Sequence, residues 1–89
     1  MSSKQEIKDL FIAELMNTPQ YQIVLNIKQV IINEILTPNV QSQVIYEFET
    51  TQTDEEVGII KMCMIIEFGF DTVSINNNTV IIQMEKFLE

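Results

Sequence analysis

Eighty-nine residues suffice for one domain, 1–89, with a single modest core, and a hydrophobic fraction of 46% is too high for a disordered chain. Thirteen acidic residues against five basic ones, all lysine, give a formal net charge of -8 and speak against direct binding of nucleic acid or an anionic membrane. With one cysteine and no histidine, the chain has neither an intrachain disulfide nor the soft ligands of a zinc centre.

Ser2 or Ser3 caps a first predicted helix that runs to about Met16, with Ile7, Leu10, Phe11 and Leu15 as its apolar stripe and Glu14 at the edge. Asn17-Thr18-Pro19 then breaks the chain. Thr18 is a hydroxyl N-cap, and proline suits the first helical position because its missing N–H is not needed there. A second helix therefore spans residues 18–36 and ends before Pro38, which disfavours α backbone at Thr37. Ile23, Val24, Ile27, Val30, Ile31, Ile35 and Leu36 make it apolar nearly all round, with an uncharged stripe of Gln22, Asn26, Gln29 and Asn33. A helix of that kind is covered by more than one neighbour. The first helix is expected on one side of it and a sheet on the other.

After Asn39 the period changes to two. Val44, Tyr46 and Phe48 alternate with Gln43, Ile45, Glu47 and Glu49, as in a half-buried strand. Residues 50–56 read as a polar connection, and Val57 to Phe68 as a long central strand, apolar on both faces. Gly69 and Asp71 mark a turn or bulge, Thr72 to Ile75 a short strand, and Asn76-Asn77-Asn78 a hairpin turn. The last segment from Thr79 fits strand alternation and helical spacing alike. The expected fold is α+β, with two N-terminal helices packed on a three- to four-stranded antiparallel meander, ααββββ, or ααβββα if the C-terminal segment is helical.

Catalytic constellations are missing from the pattern. Without histidine, a serine or cysteine nucleophile lacks its commonest base. Cys63 lies in an apolar run beside Lys61, which fits a core or sheet-face thiol. The Asp54-Glu55-Glu56 run has neither the spacing nor the glycine of a calcium loop. Gly58 and Gly69 are too far apart for a phosphate-cradling loop. The expectation is a protein that is not an enzyme and takes no cofactor or metal.

Two surfaces stand out. If Val57 to Phe68 is a strand, Ile59, Cys63 and Ile65 lie on the sheet face away from the helices, beside Ile45 or Ile81, and Phe70 too needs cover. Such a patch invites self-association. Glu47, Glu49, Asp54, Glu55 and Glu56 form an acidic cluster with no lysine among them, a candidate ridge for a basic groove. The first expectation is thus a small acidic protein–protein interaction module, a homo-oligomer (dimer) that binds an unidentified protein partner and contacts no nucleic acid or membrane directly. Alternatives are an acidic inhibitor that mimics nucleic acid and a structural component of a larger particle. Size, acidity and the absence of catalytic groups give a compositional likeness to small phage and mobile-element proteins. The amino-terminal stretch has no unbroken apolar signal segment, and Lys61 and Glu67 interrupt the densest apolar run, so the expected location is cytoplasmic.

Overall fold

The computed structural model describes residues 3–69, 73–76 and 78–88. The elements are α1 (Ser3–Met16), α2 (Pro19–Ile35), β1 (Gln43–Glu47), α3 (Asp54–Phe68), β2 (Val73–Asn76), β3 (Thr79–Gln83) and the single turn α4 (Glu85–Leu88). The expectations placed on Ser2, Phe70, Asp71, Thr72 and Asn77 fall outside the described residues.

The start of α2 follows from its capping chemistry. Thr18 is extended, at φ -86° and ψ 152°, and its hydroxyl oxygen accepts the Tyr21 N–H at 3.3 Å. The same hydroxyl donates to the Leu15 carbonyl at 2.6 Å, so one side chain ends α1 and begins α2. Val24, Ile27 and Ile31 are buried along α2. Its polar stripe pairs with itself one turn apart, Gln22 with Asn26 and Gln29 with Asn33.

Residues 57–68 are not a strand. They belong to α3, which begins with a capping box: the Thr53 hydroxyl accepts the Glu56 N–H at 3.1 Å, and the Glu56 carboxylate accepts the Thr53 N–H at 2.9 Å. Gly69, at φ 82°, ends the helix in the left-handed conformation that glycine adopts without strain. The segment is apolar on every side, so any period fits it. Its length favours a helix over a strand, and its ends decide the matter. Ile60, Cys63 and Met64 are buried in the one core that α3 shares with α2, with Leu15 at the end of α1 and with Val80 and Ile82 of the sheet.

Because α3 leaves the sheet, three strands remain, in the order β1-β3-β2. This is not a meander: β1 lies beside β3, with Val44 opposite Ile82 and Tyr46 opposite Val80, and the β2–β3 hairpin completes an antiparallel sheet. Val80 and Ile82 are buried under the helices, whereas Ile45 is exposed on the outer face. The C-terminal segment is both of the things it resembled: strand to Gln83, then one helical turn whose Phe87 meets Phe68 edge-on at 5.4 Å. The α+β class, with two N-terminal helices and an antiparallel sheet, holds.

The first helix does not cover the second along its length. Leu15 is its one buried residue and Ile12 is half-buried, while residues 3–11 are exposed. The chain measures 46 × 30 × 16 Å, with a radius of gyration of 14.2 Å, against about 12 Å for a compact domain of this length.

Candidate interaction surface

The exposed part of α1 is apolar on one side. Ile7, Leu10 and Phe11 are 66%, 72% and 51% exposed, although their spacing is that of a buried stripe. Phe11, Ile12 and Leu15 of α1 and Met62, Ile65 and Ile66 of α3 border an open groove of about 200 Å³, with Lys8 the single charged residue on its wall. Lys61 stands one turn before Ile65 and Lys4 one turn before Lys8, so three of the five lysines lie on these two helices.

The five residues expected on one sheet face are not together on one. Ile45 and Ile81 are directly opposed on β1 and β3, on the outer side of the sheet. Ile59, Cys63 and Ile65 are on α3, where helical geometry separates them: Ile59 is half-buried against the core, Cys63 is fully buried, and Ile65 is 49% exposed in the groove. The Cys63 thiol faces the Leu15 carbonyl, and burial pushes its pKa up, against a smaller opposing effect of its contact with Thr18.

The acidic residues divide by role. Glu56 is committed to the capping box and also accepts from the Gln20 amide at 3.3 Å. Asp54 and Glu55 occupy the first turn of α3, where the helix dipole favours carboxylates. Glu47 and Glu49 are exposed on either side of the buried Phe48. No ion pair involves any of these five among the described residues; the ion pair there joins Lys28 to Glu67.

A second cavity, of about 210 Å³, lies between α2 and the exit of β1, bordered by Ile23, Asn26, Tyr46, Phe48 and Glu49, with Thr50 and Gln52 at its far side. The Gln52 amide N–H donates to the Thr50 carbonyl at 3.1 Å, while its buried Oε1 has no partner among the described residues. That oxygen is closed off from solvent, so it marks a cost in the loop and not an open binding group.

Among the described residues no group of three or more His, Cys, Asp or Glu side chains is arranged to hold a metal ion, and no helix is long and apolar enough to cross a membrane. The α1 face is not legible in the sequence because its stripe has the spacing of a core stripe. Only the way α1 is anchored, through Leu15 and Thr18 at its end, leaves that stripe outside. In comparisons with known proteins, no family model, curated protein or solved structure matches the chain.

Proposed function

We propose that the chain is a small acidic protein–protein interaction module, without catalysis of its own, that works through the apolar face of α1 and the groove between α1 and α3. The observation that carries this reading is the exposure of Ile7, Leu10 and Phe11 next to a groove walled by Met62 and Ile65. Contiguous apolar side chains on a projecting helix are costly in water and favour association. A helix set beside a groove is also a recurrent arrangement for recognising another helix.

A photo-crosslinking amino acid at position 10, where the native side chain is exposed, tests it in the source cells. Covalent products with a polypeptide are expected from position 10 and not from position 33, on the polar stripe of α2. An absence of products from position 10 overturns the reading.

A second reading, inhibition of a nucleic-acid-binding protein by acidic mimicry, is supported by Glu47 and Glu49, which are exposed and form no ion pair among the described residues. It is the narrower of the two, because the folding of α3 already accounts for Asp54, Glu55 and Glu56.

A further inference from the structure

We propose that the occupant of the α1 face is the α1 of a second copy of this chain, laid antiparallel across a two-fold axis. The inference rests on the interaction reading above and names the partner. Lys4, Ile7, Phe11 and Glu14 recur at intervals of three, four and three residues, so they line one side of α1. All four are exposed, and neither Lys4 nor Glu14 forms an ion pair among the described residues. The strip thus reads positive, apolar, apolar, negative from its amino to its carboxyl end.

Such a strip is complementary to itself in one orientation. Laid antiparallel in the register that opposes Lys4 to the partner's Glu14, it also opposes Ile7 to the partner's Phe11. The two-fold axis then repeats both contacts, as an isologous interface requires. Laid parallel, Lys4 meets Lys4 and Glu14 meets Glu14, which is repulsive. Antiparallel pairing also brings Lys4 close to the carboxyl end of the partner helix, whose last turn carries no basic residue. Phe11 belongs to the groove as well, so the partner's Ile7 closes over the edge formed with Ile65.

The need for a cover is physical. A helix of 14 residues is near the lower limit of about 12–15 for independent stability in water, and this one buries only Leu15. A second copy covers Ile7 and Phe11 without any other protein.

The test is sedimentation equilibrium on the purified full-length chain up to about 1 mM, a range in which even a millimolar dimer is substantially populated. A reversible monomer–dimer equilibrium is expected. Lys4→Glu or Glu14→Lys alone should weaken it about tenfold, since each variant turns two symmetric attractions into repulsions. Combining them restores the pairing with signs exchanged, to within about twofold of the parent chain. The two residues are ten positions apart on the helix, too far for rescue within one chain, and circular dichroism confirms that each variant is folded. A chain that stays monomeric overturns the second copy as occupant, as does a dimer indifferent to the charge reversals or a double variant no better than the singles. If it is monomeric while position 10 still crosslinks to a different polypeptide in cells, only the occupant is wrong. If there are no crosslinks either, the interaction reading falls with it.

Discussion

The hydroxyl of Tyr21 donates a 2.5 Å hydrogen bond to the carboxylate of Glu67, joining the first turn of α2 to the last turn of α3. The other Glu67 oxygen accepts from the Lys28 ammonium at 2.7 Å. One carboxylate therefore holds the central helix pair at two places on α2. Its setting changes both pKa values: the bonds from Lys28 and Tyr21 hold Glu67 below its ordinary value despite partial burial, while the bond to Glu67, with desolvation, pushes Tyr21 up to about 12.

These shifts set the pH range over which this cluster stabilises the fold. A carboxylate with a lowered folded pKa stabilises the fold above its unfolded value of 4.5 and loses that contribution as pH falls through the folded value. A tyrosine with a raised pKa contributes fully below 10.0 and loses its contribution as pH rises through about 12. Urea unfolding should therefore show stability from this cluster level between those limits. Glu67→Ala, which removes the acceptor of a part-buried hydroxyl, should cost about 1 kcal/mol at pH 7, with a difference from the parent that narrows below pH 4.5. Lys28→Ala should cost under about 1 kcal/mol, because the lysine is half exposed and its pairing is screened by solvent.

The caps of α3 give a set of substitutions with opposite signs. Thr53→Ala removes the acceptor for the Glu56 N–H and should destabilise the chain by about 1 kcal/mol. Gly69→Ala should cost about as much, since alanine is strained at φ 82°. Gly58→Ala should stabilise by about 0.5–1 kcal/mol: the position is inside the helix, and an added Cβ meets no atom within 4 Å. Were residues 57–68 a strand, Thr53→Ala would be near neutral and Gly58→Ala would gain nothing from helix propensity. Thermal unfolding of the three variants therefore reads out the conformation of this segment.

What could be read from the chain follows from where its polar groups are. Thr18-Pro19 and Thr37-Pro38 bracket α2 because capping and proline geometry are local, and β1 is legible because Ile45 alone interrupts a polar outer face. The segment from Val57 to Phe68 has no polar stripe to set its period, and the local signal that resolves it, Thr53 with Glu56 three residues on, lies in the stretch that reads as a loop. Reading this segment as a strand puts Cys63 beside Ile45 and Ile81 and adds a strand between β1 and β2, whereas the sheet has the order β1-β3-β2. The α1 surface is a different case. Nothing in its residues distinguishes a covered stripe from an open one, since that depends on the angle at which Leu15 and Thr18 anchor the helix.

Cys63 should behave as an inert thiol in the native state. It is fully buried, and burial raises its pKa, so little thiolate is available and none is accessible. Ellman's reagent at pH 8 should react at a rate limited by opening of the chain, and stoichiometrically at once in denaturant. Fast native reaction would mean that α1, whose Leu15 carbonyl faces the thiol, detaches readily from α3.

The acidic residues separate by experiment as they do by structure. Reversing Asp54 and Glu55 to lysine places positive charge at the positive end of the α3 dipole and should lower Tm by roughly a few degrees. Reversing Glu47 and Glu49, exposed beside Phe48 and unpaired among the described residues, should leave Tm nearly unchanged. If these two serve a basic partner, their reversal abolishes a binding that also weakens steeply with salt, as exposed charge interactions do. Binding that survives both their reversal and high salt runs instead through the apolar face of α1. Capture with the Glu47→Lys/Glu49→Lys and Leu10→Glu variants side by side, washed at low and high salt, therefore assigns any partner to one surface: loss only with Glu47→Lys/Glu49→Lys marks the acidic residues, and loss only with Leu10→Glu marks α1.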